Sequence, residues 1–260
     1  VLQEIGRLRE LTFRAAGGGT GEALDLDEHD FGPYAYEQLI VWSVEDQEII
    51  GGYRYKVCSE AKDTEGAFHL STVHYFEFTE PFKTDFLPYT IELGRSWVQP
   101  NFQPQVNPKK GLFALDNIWD GLGALIRFYP EIKYFFGKVT MYPDYDHEGR
   151  DFLLQFLHYF FPDNDHLLRA YHPLDFRSGH NYLPQIEGLE FKDAFKILNQ
   201  FVRERGTFIP PLMNIYMNLS PTMRTFDTAV NADFGNVEET GILVTIADIY
   251  PDKKERHLEF

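Results

Sequence analysis

The stretch IELGRSW, residues 91–97, places Glu92 and Arg95 inside a run of apolar residues that predicts a buried strand. Burying an ionised side chain is costly unless the charge is paired and hydrogen-bonded. Such a pair can be purely structural, and a carboxylate in this position can also take a proton from a nucleophile. We therefore treat Glu92 and Arg95 as the candidate catalytic residues, and we expect other polar groups to be folded against them.

A second charged group is the acidic run DLDEHD, which contains Asp25, Asp27 and Asp30. Closely spaced carboxylates occur in solvated loops and in sites for hard cations. A calcium loop that began at Asp25 would need glycine at its sixth position and glutamate at its twelfth, and these positions hold Asp30 and Tyr36. The histidines also lack the spacing of metal ligands, so the sequence predicts no metal site.

Two arginines lie in predicted regular elements. Arg9 falls beside the apolar face of a helix predicted over 2–16, and Arg54 falls among the aromatic residues of a strand predicted over 48–57. An isolated arginine in either place is usually a surface residue that lays its stem on apolar neighbours. Neither residue is informative by itself.

Apolar periodicity predicts the other elements that must position these residues. Strands are predicted over 37–44, 89–98, 134–141 and 241–249, with extended or short strand segments near 68–78 and 166–174. Helices are predicted over 112–130, 146–162, 191–206 and 210–219, after a loop over 99–111. An initial helix and hairpin followed by alternating strands and helices predict an α/β (α+β) fold with a mixed sheet. No change in composition along the sequence indicates a boundary between two domains.

The composition excludes several classes of protein. A formal net charge of -16 argues against generic binding to nucleic acid or to an anionic membrane surface, since both require a basic surface. The single cysteine, Cys58, leaves no intrachain disulfide and suits a reducing compartment. We expect neither a membrane-spanning run nor a signal peptide. We expect a cytoplasmic protein without a transmembrane segment.

Taken together, the charged residues form a pattern. In chain order it reads Arg9 with Phe13, then Asp25, Asp27 and Asp30, then Arg54, and then Glu92 with Arg95. This order and spacing resembles the acyl-homoserine-lactone synthases. It resembles more closely the bacterial ornithine-lipid and glycine-lipid N-acyltransferases, a haemolysin-like branch of the GNAT acyltransferases. Segments 208–221 and 232–249 look like the C-terminal region of that branch, so the resemblance covers about residues 7–249.

The resemblance implies a single GNAT-like domain over 1–260, with a mostly antiparallel central sheet and an elaborated region over about 185–260. It implies transfer of a 3-hydroxy fatty acyl group from acyl carrier protein to an amino acid, of the glycine or ornithine type, to give a lyso-aminolipid. The residues expected to order the acceptor side through an ionic network are Arg9, Asp25, Asp27, Asp30 and Arg54. A bulge in the strand of Glu92 would turn Glu92 and Arg95 toward one cleft, where they pair with each other or with this network.

The acyl donor is expected to bind near the same strand. Backbone N–H groups that the bulge leaves free around Ser96, Trp97 and Val98 would stabilise the oxyanion. The following loop, VNPKKGLFALDN, has only Gly111 where a CoA site has a glycine-rich turn. This favours a carrier-protein phosphopantetheine thioester over acyl-CoA as the acyl donor. We expect no permanently bound cofactor. Lys109 and Lys110 are the expected docking site for the acidic carrier, and Lys133 and Lys138 could assist.

Alternatives remain open at this stage. They are an acetyl-CoA-dependent GNAT acetyltransferase that acts on a small amine, and an acyl-binding GNAT-like protein without catalysis. A membrane-lysing toxin is disfavoured because no membrane-inserting helix stands out, although peripheral membrane contact could serve product release. The chain departs from the synthases in the glycines of segment 17–24 and in a longer link over 231–242, and both departures bear on the acceptor.

Overall fold

We describe a computed structural model of the chain, which covers residues 1–103, 106–174 and 179–257. The α-helices are α1 (Leu2–Ala15), α2 (Pro108–Phe128), α3 (His147–Phe160), α4 (Phe191–Glu204), α5 (Pro211–Met217) and α6 (Pro251–His257). The strands are β1 (Glu37–Ser43), β2 (Glu48–Val57), β3 (Phe76–Phe78), β4 (Thr90–Val98), β5 (Tyr134–Met141), β6 (Leu168–Ala170), β7 (Arg224–Asn231) and β8 (Val237–Thr245).

Six strands form one sheet in the order β1-β2-β4-β5-β8-β7. Every neighbouring pair in this sheet is antiparallel except β4 and β5, which are parallel. Strands β3 and β6 form a separate antiparallel ribbon. The mixed, mostly antiparallel sheet flanked by helices confirms the predicted fold class.

Sequence signals at the helix ends account for several boundaries. Asp146, before α3, accepts a hydrogen bond from the backbone N–H of Gly149 at 2.8 Å, as expected of an N-cap aspartate. Asn107 caps α2 in the same way, through the backbone N–H of Lys110. Helix α2 therefore begins at Pro108, earlier than predicted, and proline occupies its first turn.

The two faces of the sheet carry different cores. Successive strand residues point to opposite faces, so Leu93 and Val139 face the core that includes residues of α2 and α3. Phe136 and Leu243 face a second core, built with the segment between β2 and β4. A third cluster joins Trp97 to the apolar side of α1.

Strands β4 and β5 come closest at the end of their shared ladder. The last pair is Leu93 with Gly137, and a Cβ atom on Gly137 would lie 2.4 Å from the carbonyl oxygen of Leu93. No side chain fits at this distance, so glycine is required there. Beyond this pair β5 continues with β8, and β4 continues with β2.

Several elements differ from the sequence prediction. The last strand starts at Val237, and its partner Arg224–Asn231 was not predicted as a strand. Helix Pro251–His257 was also not predicted. Residues 68–78 contain a 3-10 turn, Ser71–His74, and only a three-residue strand, β3. The short strand predicted in 166–174 is β6.

Candidate active site between strands β4 and β5

Three arginines and three aspartates form a closed ring of ion pairs beside strands β2 and β4. Helix α1 supplies Arg9, strand β2 supplies Arg54 and strand β4 supplies Arg95, while the segment after α1 supplies the aspartates. Each aspartate joins two arginines: Asp25 joins Arg9 and Arg95, Asp27 joins Arg95 and Arg54, and Asp30 joins Arg54 and Arg9. The ring ties four parts of the chain together and balances its own charge.

The ring is largely buried and its contacts are short. Arg9 binds Asp30 with both terminal nitrogens, at 3.0 and 3.1 Å, and its Nε donates to Asp25 at 2.9 Å. Arg54 Nη1 donates to Asp27 at 2.6 Å. Bidentate contacts of this kind fix orientation as well as charge. The five residues predicted as an acceptor-side network thus lie together, with Arg95 as the sixth member.

The electrostatics of the ring favour ionised aspartates. Partial burial raises the pKa of Asp27, but the charge and hydrogen bond of Arg54, together with the charge of Arg95, outweigh that effect. The net pKa of Asp27 is therefore well below its ordinary value. Burial lowers the pKa of the neighbouring His29, and the positive charge of Arg54 lowers it further. His29 is consequently neutral near pH 7.

A bulge in β4 directs Arg95 into the ring. The pairing of β2 with β4 shifts register between the pairs Arg54–Gly94 and Gly52–Trp97. Arg95 has a left-handed backbone, with φ of 48°, and its guanidinium stacks on Phe234 with 4.3 Å to the ring centre. The bulge that the resemblance implied is present, and it lies where β4 separates from β5.

Glu92 is fully buried, and its surroundings differ from the prediction. Its carboxylate accepts hydrogen bonds from the hydroxyls of Tyr36 at 2.8 Å, Ser71 at 2.5 Å and Thr72 at 2.7 Å. The expected pairing of Glu92 with Arg95 or with the acidic loop was wrong. Arg95 turns at the bulge toward Asp25 and Asp27, and hydroxyl groups take its place around Glu92.

A cavity of about 380 Å³ opens where β4 and β5 diverge, within the size range of small-molecule sites. Leu93, Val139, Trp119 and Leu212 line its side on the first core, together with other apolar residues of α2 and α5. On the opposite face of the sheet its lining is polar and includes Arg54, Arg95, Ser71, Lys138 and Glu239. One chamber therefore joins an apolar space to a charged one through the gap in the sheet.

Two features of the polar side were not identified from the sequence. Lys138 Nζ lies 2.6 Å from Glu239 Oε2, and both side chains are largely buried. Arg54 Nε is buried and finds no hydrogen-bond partner among the residues that the structure describes. The alternation of charged and apolar residues in GKVTM could have indicated that Lys138 points away from the first core.

Comparison with known proteins agrees with this geometry. Residues 8–109 match a family model described as "Acetyltransferase (GNAT) domain". The chain is 52% identical, over its full length and 80% of the relative's length, to a protein of Phocaeicola vulgatus named "Glycine N(alpha)-acyltransferase". A protein of the same name from Bacteroides thetaiotaomicron is 51% identical over the full chain and 77% of its own length. The chain belongs to the GNAT-fold N-acyltransferases.

No solved structure matched the chain significantly. The protein is an N-acyltransferase, and its activity requires an acyl donor and an amine acceptor. GNAT acyltransferases take acyl-CoA or a similar thioester as co-substrate. Across residues 1–103, 106–174 and 179–257, none of the helices combines the length and the apolar content needed to span a bilayer.

The residues that were predicted to bind the donor fall into two groups. Ser96, Trp97 and Val98 line the cavity of the N-acyltransferase. The second group is Lys109, Lys110 and Gly111. These residues belong to the first turn of α2 and do not line the cavity.

The expected basic docking site is smaller than predicted. Lys110 Nζ is paired with Asp46 at 2.6 Å, so its charge is already balanced. Lys138 is buried against Glu239 and cannot assist in docking. Lys109 is exposed and Lys133 is also exposed, although Lys133 Nζ rests on the Tyr89 ring at 4.1 Å.

The two segments that depart from the synthases contact each other beside the cavity. A Cβ atom on Gly18 would lie 2.9 Å from the Tyr142 ring and 3.4 Å from Val237. Tyr142 and Phe234 line the cavity. The glycine segment and the turn between β7 and β8 therefore shape the same wall, on the side of the chamber that carries Glu239.

One group of potential metal ligands also escaped the sequence prediction. Glu28, His29 and His74 place one ligand atom each within 4.8 Å of one another. These residues are not spaced in the sequence as metal ligands usually are. They lie together because the 3-10 turn Ser71–His74 brings His74 back against the acidic segment. Glu28 and His74 are exposed, and we assign this group no part in the reaction.

Proposed function

We propose that this N-acyltransferase moves a 3-hydroxy fatty acyl group from the phosphopantetheine thioester of an acyl carrier protein to the α-amine of glycine, giving a lyso-aminolipid. The observation that carries the proposal is the cavity between β4 and β5, which is apolar on one face of the sheet and charged on the other. The names of the two curated relatives support glycine as the acceptor.

The two sides of the cavity suit the two substrates. The wall around Ile118, Trp119, Leu212 and Ile215 offers apolar surface to an acyl chain, whereas an acetyl group would leave most of it uncovered. The gap beside β4 admits the pantetheine arm. The polar side suits an acceptor that carries charges. A fatty acyl donor therefore fits the chamber better than acetyl-CoA.

Glu92 is the proposed general base. Glu92 does not line the cavity, but Ser71 does, and the Ser71 hydroxyl donates to the Glu92 carboxylate at 2.5 Å. The acceptor ammonium passes one proton through Ser71 to Glu92, since only the neutral amine can attack. Tyr36 and Thr72 hold the carboxylate in place.

The amine nitrogen then bonds to the thioester carbonyl carbon. Residues 94–98 leave the ladder with β5, and backbone N–H groups in this segment stabilise the oxyanion. Collapse of the tetrahedral intermediate breaks the carbon–sulfur bond. The remaining extra proton on nitrogen goes to the departing sulfur, which leaves as the thiol of the carrier arm.

Turnover with defined substrates tests this proposal. The purified protein is incubated with glycine and either a 3-hydroxyacyl carrier protein, the matching acyl-CoA or acetyl-CoA, and the product is measured by mass spectrometry. Ornithine replaces glycine in a parallel series. We expect N-acylglycine to form fastest from the carrier-bound long-chain donor. Turnover with acetyl-CoA alone, or with ornithine but not glycine, would overturn the proposal.

A further inference from the structure

Lys138 on β5 and Glu239 on β8 form a buried ion pair that the proposed proton transfer does not use. Their charged atoms are 2.6 Å apart, and both residues line the cavity on its polar side. Lys138 Nζ also lies over the ring of Tyr75, 3.9 Å from its centre, which holds the ammonium in place. The pair is thus fixed from two sides and still borders the chamber.

The fold alone does not explain this pair. A buried ion pair is on average no more stabilising than well-packed apolar residues of the same size. The ladder between β5 and β8 is continuous from Tyr134 to Met141 without any help from these side chains. The ring around Asp25 balances its own charges, so it needs neither Lys138 nor Glu239.

We propose that Lys138 and Glu239 bind the acceptor amino acid by its two α-charges, with Lys138 receiving the α-carboxylate and Glu239 receiving the α-ammonium. This inference rests on the proposed function, because it requires an amino acid as the acceptor. It assigns the acceptor to a particular part of the chamber.

Charge complementarity supports the assignment. An amino acid carries its ammonium and carboxylate on one carbon, and the pair presents the opposite charges side by side. The substrate as a zwitterion adds no net charge, so the buried site remains neutral when it is filled. An amine without a carboxylate lacks the group that Lys138 would bind. Such an amine would therefore leave Lys138 without a partner from the substrate.

A second observation points to a ligand on the same side. Arg54 is almost fully buried, lines the same cavity, and its Nε finds no partner among the described residues. A buried donor is normally paired, and a substrate carboxylate supplies an acceptor of the kind it needs. Burial lowers the pKa of Lys138, against the effect of Glu239, and a bound carboxylate would favour its charged form further.

The test combines binding and kinetics on the purified chain. Isothermal titration measures the binding of glycine, of glycinamide, which lacks the carboxylate, and of acetate, which lacks the amine. Steady-state kinetics give the KM for glycine and for the acyl donor. The variants are Lys138→Met, Glu239→Gln and the double variant. The double variant removes both charges, so neither is left unpaired. Lys62→Met is the matched control, because Lys62 also rests on an aromatic ring but is exposed and outside the cavity.

We expect wild-type protein to prefer glycine over glycinamide and acetate. Lys138→Met should raise the KM for glycine by about tenfold to a hundredfold, the range expected for a lost charge-assisted hydrogen bond, and should abolish the preference over glycinamide. The KM for the acyl donor should stay unchanged, and Lys62→Met should behave as wild type.

Two outcomes separate the failure of this inference from that of the proposed function. Equal binding of glycine and glycinamide by wild-type protein overturns the inference, whether or not the protein acylates glycine. This measurement uses wild-type protein alone, so it does not depend on any variant folding correctly. Preferential binding of glycine that depends on Lys138, in a protein that acylates no amino acid, supports the inference and overturns the proposed function.

Discussion

The hydroxyl of Ser71 lies 2.5 Å from the Glu92 carboxylate, and Ser71 is also one of the residues that line the cavity. It therefore connects a buried carboxylate with the space in which an amine must lose its proton. Because Ser71 comes from an irregular segment between β2 and β4, this link depends on tertiary structure and is invisible in the strand motif itself.

Replacement of the base or of its link should slow catalysis without unfolding the chain. Glu92→Gln should lower kcat by about 100-fold or more, the usual contribution of a general base. Ser71→Ala should lower kcat by a smaller factor, since a water molecule can replace the lost hydroxyl. Single-turnover rates measure both effects, and circular dichroism checks the fold. Full activity in Glu92→Gln would show that another group takes the proton.

The ring of ion pairs should matter chiefly to stability. Asp25→Asn leaves the buried Arg9 and the largely buried Arg95 short of a carboxylate, and we expect a loss of about 3 kcal/mol in the free energy of unfolding. Asp193→Asn is the control, because it breaks an exposed pair with Lys196 and should cost far less, since exposed ion pairs contribute little to stability. Urea unfolding at pH 7 measures both. Equal losses would mean that the ring contributes no more than a surface pair.

The same ring predicts how stability depends on pH. The pKa of Asp27 is lowered in the folded protein, so its contribution is fully present above the ordinary value of 3.8 and declines as the pH falls through the folded pKa. The stability difference between wild type and Asp27→Asn should therefore be constant from pH 7 to 5 and should shrink below about pH 4. A difference that grows on acidification would contradict this sign. Urea titrations at each pH supply the measurement.

Much of the fold was predictable, because helices and strands produce regular spacings of apolar residues in the sequence. The boundaries of β5 matched the predicted 134–141, and the cap at Asp146 followed from its residue type. Strand β7 was missed because its apolar residues, Phe226, Ala229 and Val230, do not alternate with polar ones, and its pairing with β8 shifts register between Thr225 and Thr228. The family resemblance also grouped five of the six members of the ring before any distance was known, all except Arg95.

The contacts of individual charges were less predictable. A strand motif shows that Glu92 and Arg95 are close in sequence, but the bulge sends them to different partners. Lys110 looked like a docking residue because its partner Asp46 lies in a distant turn. The pair of Lys138 and Glu239 joins strands that are far apart in sequence, so only their pairing reveals it.

Carrier docking can now be tested with a matched pair of lysines. Lys109→Glu should raise the KM for an acyl carrier protein, because Lys109 is exposed, and should leave the KM for the same acyl group on CoA unchanged. Lys110→Glu should have a smaller effect on docking, because Asp46 already balances its charge. An equal rise for both donors would locate the effect in the cavity and not at a carrier surface.

The apolar wall should set the acyl-chain length. Leu212 lines the cavity near the start of α5, and Leu212→Trp would fill part of the space that a long chain occupies. We expect kcat/KM for a long-chain donor to fall by about tenfold to a hundredfold, the usual effect of lost apolar contacts in a pocket, with little change for a short-chain donor. Leu189→Trp, at an exposed position outside the lining, is the control. If both chain lengths respond equally to Leu212→Trp, the wall around α5 does not hold the acyl chain, and the chain must leave the chamber by another route.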